Sequence, residues 1–209
     1  MTGHAPVSAL TGGIGLLERA FGYTLGSLTL VTPAAMSNPT PCAGWDLRAL
    51  LRHMNDSLLA MHEAIAAGEV ELHPRVAADL AGDYGDPEHD PVGVLRNRGC
   101  QMLGAWVNAV DPGQVTIADR RLTPMVLVAT AAIEVAVHGW DVSRACGQDR
   151  AIPPALADEL LELCPLFVSD ADRLSRFGPR VPVSPGAPAG DRLVAYLGRH
   201  PDWGRPAAA

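Results

Sequence analysis

Residues 124–147 read PMVLVATAAIEVAVHGWDVSRACG, and the reading of this stretch decides the fold. It opens on Pro124, which suits the first turn of a helix, and closes on Gly147, which suits the position just past the end. These signals predict a helix over 124–145, apolar nearly all round and therefore buried. The most apolar run, 125–137, is shorter than the roughly 20 residues a bilayer span needs and contains Glu134. It reads as a core helix. Three polar residues interrupt it: Glu134, His138 and Asp141 fall at i, i+4 and i+7, on the face that also carries Leu127 and Ala131. An unpaired carboxylate buried there would be costly, so the fold must supply a cation, hydrogen-bond donors or an open cavity.

One answer is a metal. Carboxylate oxygen and neutral imidazole suit a borderline divalent ion such as zinc, and side chains four apart on a helix can reach one ion. A third ligand has to come from elsewhere. From Leu47 onward, Leu50, Leu51, Met54, Leu58, Met61 and Ile65 follow helical spacing; Asp46 is placed to cap the start and Gly68 to end it. The adjoining flank carries Ala49, His53, Ser57, Ala60 and Ala64. His53, set among small neighbours, is the best candidate to face the long helix, since bundles bring inward side chains from facing helices to a common centre. Asp141 and Asp56 are the candidate acid–base groups, Asp141 alternatively orienting a ligating imidazole. Spacing alone leaves other readings open. A Glu and a His four apart are more often an ion pair than metal ligands, and Asp56 fits a solvated helix residue. Cys42, Cys100 and Cys146 fit small core or loop positions better than nucleophiles.

The rest of the chain continues the helical pattern. A first helix is predicted over 6–31, although glycines interrupt it, and a proline-rich turn over 38–44. Residues 69–91 form a polar loop with a helical turn near 76–80, long enough to act as a lid. Further helices are predicted over 92–110, from Pro153-Pro154 to Arg173, and over 191–199; residues 114–118 have extended character. Pro179, Pro182, Pro185 and Pro188 make 177–190 a stiff extended strap. The expected class is all-α, an antiparallel four-helix bundle with extra C-terminal helices, in one domain spanning 1–209.

Composition agrees. The chain has 209 residues, of which 48% are hydrophobic, 19% charged and only 5% aromatic. That is globular, and lean in the aromatic residues that strands favour. A net charge of −7, with sixteen Lys and Arg scattered along the chain, argues against nucleic acid or an anionic membrane as partner. The four cysteines form no CxxC pair and no export signal is visible, so reduced thiols in the cytoplasm are expected. HExxH, GxSxG and GxGxxG patterns are missing, which leaves metalloprotease, serine hydrolase and dinucleotide readings without their usual signals. His62, His73 and His89 are scattered and read as solvated.

Three stretches carry a resemblance: TPCAGWDLRALLRHM at 40–54, EVAVHGWDVSRACGQ at 134–148 and FGPRVPVSPGAPAGDRLVAYLGR at 177–199. Together they resemble the actinobacterial metal-binding proteins of the DinB-like, mycothiol-dependent maleylpyruvate isomerase superfamily. The resemblance implies a four-helix bundle holding a divalent metal, usually zinc, by the family's second-helix His and ExxxH pair. These fall on His53, Glu134 and His138. It also implies a low-molecular-weight thiol such as mycothiol as co-substrate, in S-transfer to a small electrophilic metabolite or in its isomerisation. Maleylpyruvate isomerase has a further C-terminal domain that takes part in catalysis, whereas this chain ends after a short helix, so that particular reaction is not the one expected. Residues 54–57 are also more polar than the family pattern. A thiol-independent metal or acid–base enzyme and a non-enzymatic metal-binding protein stand as the alternatives. A homodimer is compatible with such a bundle.

Overall fold

The computed structural model describes residues 4–67, 69–70, 86–108, 115–117, 120–173 and 177–205. Among the described residues four long helices dominate: α1 (His4–Leu28), α2 (Leu47–Ala67), α3 (Pro91–Asn108) and α4 (Pro124–Ala145). Three shorter ones follow, α5 (Pro154–Phe167), α6 (Asp170–Arg173) and α7 (Ala189–Tyr196). Two compact units are distinguished, residues 1–18 with 51–131 and residues 19–50 with 132–209.

In the first unit, α2 and α3 bury Leu51, Met54, Leu58, Met61, Val94, Leu95, Met102 and Trp106. Asn55 is buried between them, its amide donating to the carbonyls of Leu51 at 3.1 Å and Pro91 at 3.0 Å. Arg98 donates in turn to the Asn55 carbonyl at 3.2 Å. A polar side chain in this position is tolerable because its donors are matched. The start of α3 is capped by Asp90, which accepts from Gly93 N–H at 2.8 Å. This unit also contains a small sheet of two- and three-residue strands, a minor addition to a fold that is all-helical in class as expected. Strand β1 (Glu69–Val70) pairs in parallel with β2 (Val115–Ile117), and β2 pairs antiparallel with β3 (Arg120–Leu122), Thr116 opposite Arg121. Only β2 coincides with predicted extended character. The helical turn anticipated near 76–80, and with it most of the anticipated lid, lies outside the described residues.

The second unit is built on the C-terminal half of α4. Here Ala132, Ile133, Val135, Ala136, Val137, Trp140, Val142 and Ala145 are all buried. The helix is the one described helix long and apolar enough to cross a membrane, and most of it is buried against protein instead. Gly147, at φ +71, ends it; Gly147 N–H reaches Arg144 O at 2.9 Å and Gln148 N–H reaches Ser143 O at 2.9 Å. This is the paired closure that a C-terminal glycine allows. On the neighbouring part of α1, Thr24 donates to Val135 O at 2.7 Å. A β-carbon at Gly139 would collide with the Thr24 side chain, so the glycine sets how closely the two helices approach.

Boundaries differ from expectation where proline acts. The first helix stops at Leu28, and Thr32, extended ahead of Pro33, leads into a 3-10 helix (Pro33–Ser37) that the periodicity did not show. The predicted 153–173 helix is two. Pro165 lies inside α5, which ends on extended Val168 before α6 begins. The last helix starts at Ala189, two residues early, and ends at Tyr196.

Gly139→Ala is expected to lower stability by about 1–3 kcal/mol through overpacking. Thermal unfolding should register this as a clear drop in Tm, and adding Thr24→Ala, which removes the hydroxyl that lies nearest, should recover part of it.

Candidate metal centre

Five side chains converge on one face of α4 within the second unit. Glu134 and His138, one turn apart, present Oε2 and Nε2 at 3.9 Å; the Glu134 side chain is 22% exposed and that of His138 10%. The other imidazole nitrogen, Nδ1, lies 3.0 Å from Asp141 Oδ2. Asp141 itself has no solvent exposure. The same Oδ2 accepts from Arg199 Nη2 at 3.0 Å and from the Cys42 thiol at 3.2 Å.

Local sequence explains how each group arrives. Glu134, His138 and Asp141 share a face by helical periodicity. Cys42 sits on a turn: Trp45 N–H returns to Cys42 O at 3.1 Å, Gly44 takes φ +82, and Thr40 Oγ1 accepts from Cys42 N–H at 3.2 Å. Asn38 ties this loop to the end of α4 by donating to Ala145 O at 2.9 Å. Immediately afterwards Asp46 accepts from Ala49 N–H at 2.8 Å and starts α2, as its position in the sequence predicts.

The electrostatics follow from burial and from one cation. Burial alone would raise the Asp141 carboxyl, but the Arg199 guanidinium and the His138 N–H outweigh it and hold the group down at about 2. Burial pushes the Cys42 thiol up to about 12, and the neighbouring Asp141 charge adds to the rise. Cys42 is therefore a protonated donor at neutral pH. Cys42, His138 and Asp141 have ligand atoms close enough together to hold an ion. The Arg199 guanidinium, however, already donates to both Cys42 Sγ, at 3.2 Å, and Asp141, so positive charge is supplied on that side of the imidazole. The Glu134 side offers what an ion needs. Ligand bonds of about 2.0–2.2 Å at tetrahedral angles put two donors on one zinc-class ion about 3.4 Å apart, and the carboxylate and imidazole, at 3.9 Å, lie close to that spacing.

Of the residues singled out from sequence, Glu134, His138 and Asp141 are together as expected. His53 lies on α2 and is half-buried. Asp56, offered as an acid–base group, is exposed on the same helix and takes the solvated alternative. The polar 54–57 segment is accounted for by Asn55, whose amide is committed to two carbonyls of the helical scaffold. His89 is exposed and pairs with Asp86 at 2.6 Å, His62 is partly buried, and His73 lies outside the described residues. Two members of the cluster, Cys42 and Arg199, were not identified from sequence. Each comes from a segment far along the chain from α4, without periodic spacing to point to it.

Comparison with known proteins gives a consistent picture. The family described as mycothiol maleylpyruvate isomerase N-terminal domain matches residues 17–143. An uncharacterized protein of Mycobacterium tuberculosis, found in two strains, is 23% identical over 188 residues, covering 87% of this chain and 94% of that protein. Among solved structures, the mycothiol-dependent maleylpyruvate isomerase superposes with a TM-score of 0.54 at 17% identity, covering 73% of this chain and 67% of that one. A mutant of that isomerase gives a TM-score of 0.52 at 18% identity over the same shares of the two chains. At these identities the structural likeness establishes the fold, an all-helical one of the DinB-like kind.

Asp141→Asn should cost about 3–5 kcal/mol at neutral pH, because it leaves the buried Arg199 charge uncompensated. Since the folded-state pKa is depressed, the carboxylate's contribution is present above about 4 and is lost as pH falls toward about 2. Denaturant titrations from pH 7 down to pH 2 should show the gap between wild type and variant narrowing across that window.

Proposed function

The chain belongs to the mycothiol maleylpyruvate isomerase N-terminal domain family, and we propose that it is a divalent-metal-dependent enzyme using a low-molecular-weight thiol of the mycothiol kind. The thiol adds to a small electrophilic metabolite or assists its isomerisation. One observation carries this reading: His138 Nδ1 is engaged by a fully buried carboxylate while Nε2 faces Glu134 at 3.9 Å. A carboxylate behind a histidine is the arrangement that orients an imidazole for metal binding and raises its basicity.

His53, Glu134 and His138 would hold the ion, His53 being assigned from the family pattern. When bound, a zinc-class ion supplies Lewis acidity and makes a coordinated thiol available as thiolate at neutral pH. The chain's own residues do the rest. Asp141 keeps the imidazole proton on Nδ1 and holds the ring plane. Its carboxyl stays ionised down to about 2, so it orients and does not carry protons at neutral pH. Glu134 contributes negative charge beside Nε2. Cys42, with its thiol pushed up to about 12, stays protonated and does not supply the nucleophile. The reacting sulfur then has to arrive with the co-substrate, which favours the thiol-dependent reading over chemistry on a protein cysteine. Asp56 has no role in this scheme. The described cysteines form no disulfide, in keeping with the cytoplasm as the place of action.

Purified protein should carry close to one equivalent of divalent metal per chain. His53→Ala, Glu134→Gln and His138→Ala should each lower that content sharply in elemental analysis. With metal present, the wild type should consume mycothiol, or rearrange a substrate only in its presence, when given α,β-unsaturated carbonyl compounds. Unchanged metal content in the Glu134 and His138 variants, or turnover indifferent to thiol, would overturn the assignment.

A further inference from the structure

The family match ends at residue 143, and yet the cluster behind His138 is completed by a residue more than fifty positions later. Beyond α7, Gly198 N–H bonds to Ala195 O at 3.1 Å and Arg199 N–H to Val194 O at 2.9 Å. These are the two bonds of a Schellman closure, with Gly198 in its left-handed position at φ +83. Only glycine serves there. A β-carbon at Gly198 would lie 2.7 Å from the Gly178 Cα, inside contact distance of the proline-rich strap. The closure turns the chain so that Arg199 points back at α4.

Its guanidinium is fully engaged in that position. Nη2 donates to Asp141 Oδ2 at 3.0 Å and to Cys42 Sγ at 3.2 Å, Nε lies 3.5 Å from Asp141 Oδ1, and Nη1 donates to Leu197 O at 3.0 Å. The side chain is only 10% exposed. A planar fork with donors at fixed angles sets the plane of the carboxylate it grips, which a flexible ammonium would not do. Asp141 Oδ2 is also the acceptor for His138 Nδ1. The orientation of that oxygen therefore decides how well the Nδ1–H form of the imidazole is favoured over the Nε2–H form, and only the former presents a lone pair on Nε2.

We propose that Arg199, through Asp141, is a positioning residue for the metal centre: it holds the His138 proton on Nδ1 and so keeps Nε2 competent to ligate. Cys42 is the third support of the same carboxylate, and Gly198 is the backbone device that delivers the arginine. The proposal rests on the reading of His138 and Glu134 as ligands.

The test has two arms. In metal-free protein above the imidazole titration range, 15N NMR of the His138 ring should show the Nδ1–H form in wild type and a substantial Nε2–H population in Arg199→Met. In chelator competition, zinc affinity should fall about 10- to 100-fold in Arg199→Met, the range typical of outer-sphere carboxylate–histidine partners. Arg199→Lys should fall between the two, and combining Arg199→Met with Asp141→Asn should cost little more than Asp141→Asn alone. Should Arg199→Met fail to fold, Arg199→Lys in both arms carries the test. An unchanged tautomer with affinity within twofold of wild type, or additive effects in the double variant, would overturn the proposal. Loss of the ligand assignment is distinguishable, because metal content would then survive His138→Ala while the tautomer measurement, made without metal, still reports on Arg199.

Discussion

A carboxylate with no exposure to solvent cannot be left to itself, and much of the second unit can be understood as the answer to Asp141. Its Oδ2 takes three donors, from an imidazole, a guanidinium and a thiol, all at 3.0–3.2 Å. The guanidinium is the decisive one. Burial would drive the carboxyl toward its neutral form, and the cation reverses that, leaving an ionised group whose charge orients the histidine one turn away. Buried ion pairs of this kind add little net stability compared with apolar packing, but they fix geometry. Geometry is what a ligating histidine requires.

Bringing those donors together constrains distant parts of the chain. Cys42 depends on a turn closed by Thr40 and Gly44 and tied to α4 by Asn38. Arg199 depends on α7 stopping at a glycine that packs against the backbone of the strap. The α4 helix is fixed from its other side by Thr24, which can approach only because residue 139 has no side chain. Arg150, just past the end of α4, donates to Tyr23 O at 2.6 Å while Tyr23 Oη donates to Arg150 O at 2.7 Å. The polar cluster is thus held by backbone closures and helix contacts more than by its own ion pairs.

Much of the helical layout was legible in the sequence because it depends on local rules. The bounds of α4 agree to the residue, since Pro124 and Gly147 act through their own backbone preferences. The start of α2 at Leu47 follows from the Asp46 cap. Where the reading fell short, the deciding factor was not periodic. An extended Val168 split a helix that the apolar spacing carried through, and β1 and β3 are too short to leave a pattern. A strand of two or three residues is held by its pairing partner, not by its own composition.

The same distinction runs through the site. That Glu134, His138 and Asp141 share a face, and that such a face on an apolar helix needs compensation, follows from sequence alone, because helical periodicity and the cost of burying charge are properties of the segment itself. Which nitrogen of His138 is engaged by Asp141, and that an arginine and a cysteine from opposite ends of the chain meet that carboxylate, were decided only by tertiary structure. The physical reason is range. Periodicity reports neighbours three to seven residues apart, whereas Cys42 and Arg199 lie 99 and 58 residues from Asp141, and only the folded chain brings them within hydrogen-bonding distance.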